Sequence, residues 1–135
     1  MTIRARNRAI LASLVIGVAA IAVTLLPMVA SPAKDDPIRD IQIVVRNMAF
    51  YVDDQAEPNP VITLRAGEQV RIRLRNEDAG VRHDFAIQAW SVGTRLLDDS
   101  GQEDSVVFRA PRDKGTQPYL CTPHSEMMRG TIRVE

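Results

Sequence analysis

Residues that bind metals or carry redox chemistry are scarce in this chain. Its 135 residues include one cysteine and two histidines. A single cysteine excludes an internal disulfide framework, a four-cysteine zinc site and a Cys-x-x-Cys redox pair. Two histidines exclude any enzyme whose metal centres each consume several imidazoles. A net charge is also missing, since 17 basic residues balance 17 acidic ones. The chain therefore lacks the electrostatic footprint of a nucleic-acid binder. It has no internal repeat, no low-complexity tract and no long soluble helix pattern. Its length suits one domain, with little room for a second.

The neutral total conceals an asymmetry. Residues 1–33 carry Arg4, Arg6 and Arg8 and no acid, which leaves residues 34–135 with 14 basic against 17 acidic groups, a net of −3. Behind the three arginines, Ala9 to Ala30 is a 22-residue run without a charge. As a helix rising about 1.5 Å per residue it would reach roughly 33 Å, enough to cross a bilayer core. The arginines favour an N-terminus in the cytoplasm and the rest of the chain outside. Residues 1–30 therefore read either as a retained signal anchor or as a cleaved signal peptide, whose apolar region is usually shorter, about 7–15 residues. Cleavage could follow Ala30 or Ala33, although Met28 and Pro32 suit both sites poorly. In either case the domain is exported, to the periplasm or the outer face of the cytoplasmic membrane. Residues 31–39 read as a linker, with Pro32, Pro37, Lys34, Asp35 and Asp36.

Residues 40–135 read as strands. Segments rich in apolar and β-branched residues run over Ile41–Val45, Met48–Tyr51, Val61–Leu64, Phe85–Ile87, Ser105–Phe108, Tyr119–Cys121 and Thr131–Val134. Gln69–Asn76 alternates strictly, with Val70, Ile72 and Leu74 on one face and Arg71, Arg73 and Arg75 on the other. Gly67, Gly80, Gly101, Gly115 and the prolines at 60, 111 and 118 are expected between these segments. Short strands with frequent turn signals predict an all-β sandwich. The arginine face reads as a solvated outer surface, and Asp98, Asp99, Glu103 and Asp104 as a solvated loop. Phe85 and Trp90 are expected in or near the core.

The chemistry concentrates in Tyr119-Leu-Cys121-Thr-Pro-His124-Ser-Glu-Met127-Met128-Arg-Gly130. A thiolate, an imidazole and a thioether fall within eight residues, in a tight loop holding a proline. Copper suits such a set, because it cycles between a soft reduced and a harder oxidised state. An electron-transfer copper site takes two histidines and one cysteine in a trigonal plane with a distant axial methionine. The loop supplies three of the four. The remaining histidine, His83, follows the alternating strand and the Gly80 turn and begins another strand, so it can lie at the same end of a sandwich. Alone, Cys-x2-His is a weak signal, since a lone cysteine is more often a small buried hydrophobe. Its weight comes from the only cysteine and both histidines falling where one site can use them. Zinc also accepts Cys and His, but the methionine spacing argues against it.

On these residues the chain resembles the cupredoxins, small blue copper proteins of the plastocyanin, azurin and amicyanin type. The Tyr-x-Cys-Thr-Pro-His start of the loop is similar to amicyanin and pseudoazurin, and the resemblance spans about residues 40–135. It implies a Greek-key β-sandwich and one copper ion cycling between Cu(I) and Cu(II). It also implies equatorial ligands at His83, Cys121 and His124. Met128-Arg129-Gly130 fits the family's axial methionine and the glycine that follows. Met127 is the alternative, giving the shorter spacing of amicyanins. Where the family commonly has asparagine after the first histidine, this chain has Asp84. Its carboxylate could bond the Thr122 backbone or hydroxyl, orienting the ligands and lowering the reduction potential.

The implied function is one-electron transfer by an electron carrier rather than an enzyme, although it could serve as a redox subunit of an oxidase or reductase. Transient protein partners, such as a cytochrome or a membrane oxidase or reductase, would dock at a surface patch around His124, with Pro123 and a loop methionine. The N-terminal segment would tether the carrier to the membrane. No nucleic acid and no small-molecule substrate is expected. The alternative is copper binding for delivery, storage or resistance, but the chain has no methionine-rich tract. A copper enzyme with a second centre would need histidines that the chain does not have.

Overall fold

The computed structural model describes residues 37–53 and 55–135. The apolar segment at 1–30 and the linker up to residue 36 lie outside the described residues. Among the described residues, no helix is long and apolar enough to cross a membrane.

Alternation along the sequence becomes two packed sheets. The first has the order β2-β1-β4-β7, from Ala49–Val52, Arg39–Arg46, Gln69–Asn76 and Glu103–Arg109. The second has the order β3-β9-β8-β5-β6, from Val61–Leu64, Arg129–Val134, Gly115–Leu120, Ala86–Ile87 and Val92–Gly93. β1 and β4 pair in parallel, as do β3 and β9, and the remaining neighbours are antiparallel. The chain crosses between the sheets after β2, β3, β4, β6 and β7, and the result is the expected all-β sandwich. Inward residues of β1 and β4 (Ile41, Ile43, Val45, Val70, Ile72, Leu74) meet those of the second sheet (Ile62, Leu64, Ile87, Ile132, Val134), and all are buried. Each such side chain contributes about 1.5–3 kcal/mol relative to exposure. Phe85 is fully buried, and Trp90 packs on the core edge against Phe108, with ring centroids 6.0 Å apart.

The arginine face of β4 points outward, as expected. Asp40 bridges Arg71 and Arg73 at 3.3 and 3.0 Å, and Arg75 faces Glu77 and Glu103, each at 3.8 Å. Exposed pairs of this kind contribute little to stability, but they neutralise the face as a basic patch.

Several boundaries differ from the sequence expectations. Glu103 and Asp104 belong to β7 rather than to a loop, while Asp98 and Asp99 stay in the preceding turn. Gly115 and Pro118 lie inside β8 rather than between strands. β8 has a neighbour on its second side only at Leu120, and proline is tolerated where one strand edge is open. Met48 is not in a strand. With Asn47 it makes the β1–β2 hairpin turn, at φ 59 and 51, the left-handed conformation that two-residue hairpins require.

The second sheet sets out the chemistry. Leu120 of β8 pairs with Ala86 of β5 on one side and with Arg129 of β9 on the other. His83 lies just before β5, Cys121 just after β8 and Met128 just before β9, so this one register brings all three to the same end. Tyr119 locks the arrangement. Its ring stacks on Phe85 at 5.3 Å and meets Phe50 edge-on at 5.4 Å, and its hydroxyl donates to the Pro60 carbonyl at 2.7 Å. To reach Pro60 the phenol crosses β9 above Gly130, where a Cβ would overlap the ring. Gly130→Ala is therefore expected to destabilise the metal-free protein by about 1–3 kcal/mol, the cost of forcing extra volume into a packed site, read as a lower midpoint in urea.

Candidate metal centre

The donors point inward because of strand alternation. His83, Phe85 and Ile87 face the core together, and so do Tyr119 and Cys121. Cys121 is not a strand residue as expected. It sits one step beyond β8 in extended conformation (φ −92, ψ 124) and caps a short 3-10 turn, Thr122–His124. Pro123 suits the first turn of such a helix because it has no N–H to lose. The His124 N–H donates to the Cys121 carbonyl at 3.1 Å. The Met127 and Met128 N–H groups donate to the His124 carbonyl at 3.0 and 2.9 Å, and the Cys121 N–H to the Met128 carbonyl at 3.0 Å. The loop is thus closed on itself by backbone bonds.

His83, Cys121 and His124 converge, with one ligand atom from each within 4.8 Å of the others. The Cys121 sulfur lies 3.7 Å from His83 Nδ1 and 3.6 Å from His124 Nδ1. A metal at about 2.3 Å from sulfur and about 2.0–2.1 Å from nitrogen in a trigonal plane needs S···N separations of about 3.7–3.8 Å. The donor set has that spacing. His83, Cys121 and Met128 are fully buried, and His124 is half-buried. Met127, by contrast, is 61% exposed. Of the two loop methionines, only Met128 has its side chain inside the protein.

The electrostatics suit a metal. Burial lowers the His83 pKa below its ordinary value against the opposing pull of the Asp78 carboxylate, which favours the neutral ring that a metal requires. Burial pushes the Cys121 thiol up to about 11, with the backbone N–H groups of Asp84 and His124 acting in the other direction. A thiol in that state is inert until a cation replaces its proton.

Two carboxylates flank His83. Asp84 Oδ1 accepts the Thr122 N–H at 2.6 Å, so the expected partner is the backbone of Thr122. Sequence reasoning missed the second, Asp78, whose Oδ2 lies 3.1 Å from His83 Nε2 and also accepts the Met48 N–H at 3.0 Å. Its other oxygen accepts the Asn47 N–H at 2.7 Å. Burial raises the Asp78 pKa, but the bonds from Met48 and Asn47 together with the adjacent His83 ring act the other way, and the net shift is downward. Asp78 therefore remains a carboxylate. The visible signal was a turn-forming Asn76-Glu-Asp78-Ala-Gly80, which says nothing about a bond to the β1–β2 turn. Leu97, also missed, pairs with His83 through two backbone bonds of 3.0 and 2.7 Å.

Residues 17–134 match the family model described as a cupredoxin-like domain. The chain belongs to the cupredoxins. No curated protein matches the sequence. Among solved structures, the chain is similar to auracyanin A, a "blue" copper protein from Chloroflexus aurantiacus. The two are 21% identical with a TM-score of 0.56, over 73% of this chain and 100% of the other. An auracyanin from Roseiflexus castenholzii is 19% identical with a TM-score of 0.55, over 71% and 96% of the two chains. A single-residue variant of rusticyanin is 21% identical with a TM-score of 0.55, over 73% and 77%. At these identities the likeness is one of fold. Copper is the metal of a cupredoxin, and a thiol with two imidazoles is a donor set that suits copper.

The Asp84 carboxylate adds a negative charge beside this donor set. Asp84→Asn keeps an oxygen for the Thr122 N–H and removes the charge. It is expected to favour Cu(I) about tenfold, raising the potential by on the order of 60 mV in a redox titration. An unchanged potential would show that the residue acts only through its hydrogen bond.

Proposed function

We propose that this cupredoxin is a one-electron carrier with a single type 1 copper held by His83, Cys121 and His124, and by Met128 in the axial position. The observation that carries the reading is the trigonal spacing of the Cys121 sulfur and the two Nδ1 atoms. Bound copper would supply a reversible one-electron couple, with Cu(II) taking up an electron to become Cu(I). The burial of Met128 favours it over Met127 as axial ligand.

The chain contributes rigidity and access. Cys121 and Met128 are joined through their backbones, His83 is bonded on both sides to Leu97, and Asp84 ties the His83 segment to the Cys121 loop. Donors held in this way move little when charge changes, which keeps reorganisation small. Burial of His83 and Cys121 excludes water. The half-buried ring of His124, beside exposed Pro123 and Met127, is where an electron can enter or leave. A redox protein, a cytochrome or a membrane oxidase or reductase, would dock there transiently. The basic N-terminus and apolar run favour export, with residues 1–30 as anchor or signal, 31–39 as linker and 40–135 as the copper domain. A retained anchor would keep the carrier at the outer face of the membrane.

The test is to load the full chain with Cu(II) and record its visible spectrum. An intense thiolate-to-copper band is expected, and Cys121→Ser should abolish it. Met128→Leu should raise the potential by on the order of 60 mV, because an electron-donating ligand is lost, whereas Met127→Leu should leave it unchanged. A colourless copper-loaded protein would overturn the reading. Release of copper to an apo-acceptor, without fast electron self-exchange, would favour delivery instead.

A further inference from the structure

The carboxylate of Asp78, its side chain 15% exposed, draws together groups from two separate segments. Asn47 and Met48 offer consecutive N–H groups from the hairpin turn, and His83 offers Nε2 from five residues along the chain. We propose that Asp78 is the positioning residue of this metal site, fixing the tautomer and ring plane of His83 before any metal arrives. This rests on the reading of His83 as a ligand.

A carboxylate only accepts hydrogen bonds, so a proton on Nε2 is attracted to Asp78 and a lone pair there is repelled. The proton is therefore assigned to Nε2, and the lone pair falls on Nδ1, the atom 3.7 Å from the Cys121 sulfur. The opposite tautomer would set a lone pair against the carboxylate and a proton against the position a metal must take. Among the described residues, Asp78 is the one carboxylate paired with a ring nitrogen of either histidine.

Asp78 is itself held firmly. Its N–H donates to Asn76 Oδ1 at 2.9 Å, and Asn76, wholly buried, donates through Nδ2 to the Val81 carbonyl at 2.8 Å. The hairpin completes the cradle. Asn47 and Met48 both have positive φ, and successive N–H groups in such a turn form a concave donor pair that suits an anion. Methionine seldom adopts this conformation, so its presence here is accounted for by what its N–H binds. With the His83 backbone tied to Leu97, the ring cannot turn without breaking the Asp78 bond. Partners of this kind orient metal-binding histidines and raise their basicity.

The test uses the metal-free full chain labelled with 15N in histidine, where the two histidines give only two ring systems to assign. Long-range 1H–15N spectra should show His83 as the Nε2–H tautomer with a slowly exchanging proton. Asp78→Ala should give mixed tautomers, and lower Cu(II) affinity about 10–100-fold. If that variant does not fold, the wild-type tautomer and Asp78→Asn decide the matter, with an affinity loss of about tenfold expected. An Nδ1–H tautomer in the wild type overturns the proposal. So does unchanged tautomer and affinity in Asp78→Ala, or, should that variant not fold, unchanged affinity in Asp78→Asn. A wild-type protein with the expected tautomer and no thiolate-to-copper band would overturn the copper reading and leave the tautomer assignment standing.

Discussion

The register of β8 between its two neighbours governs the rest of this molecule. Leu120 pairs with Ala86 on one side and Arg129 on the other. A slip of one residue would turn every side chain of β8 to the opposite face. Cys121 would then point outward, and its sulfur would lose both histidines. The aromatic group formed by Phe50, Phe85 and Tyr119 makes such a slip costly, because Tyr119 fits only above a residue without a side chain. The core and the metal centre thus share one constraint. The glycine that ends the ligand loop belongs to the core's packing as much as to the loop.

Much of this was legible in the sequence, for reasons that can be named. The strict alternation of β4 and the turn residues between segments identify a sandwich, because burial on one face imposes period two. The ligand loop was legible because its donors are local, spanning Cys121 to Met128, and because the chain has so few donors elsewhere. Asp84 was legible through its adjacency to His83. The Pro118 and Gly115 boundaries were misread, because local turn preference is overridden where a strand has one open edge. The register to Gly130 pointed to Met128, but that its side chain is buried while that of Met127 is exposed is a difference adjacent identical residues cannot reveal. Asp78 was not legible at all. Its role depends on a hairpin some thirty residues earlier in the chain, and no spacing rule links the two.

The two aspartates beside His83 divide the work of holding it. Asp84 reaches forward to the Thr122 backbone and ties one ligand segment to the other. Asp78 reaches back to the β1–β2 turn and ties the ligand segment to the opposite sheet. His83 therefore stands between the two sheets, with a carboxylate facing each. Neither charge is buried without partners, and among the described residues no buried side-chain nitrogen or oxygen lacks a hydrogen bond.

The Asn47-Met48 hairpin has a consequence for anyone rebuilding this protein. By length and position it looks like an interchangeable surface tip, the kind of place where insertions and circular permutations are commonly made. Yet its two N–H groups hold the carboxylate that faces His83. Grafting the Cys121–Met128 loop onto another sandwich would transfer three donors and leave this support behind. A working transplant would need the hairpin, with its two-residue length and left-handed backbone, to travel with the loop.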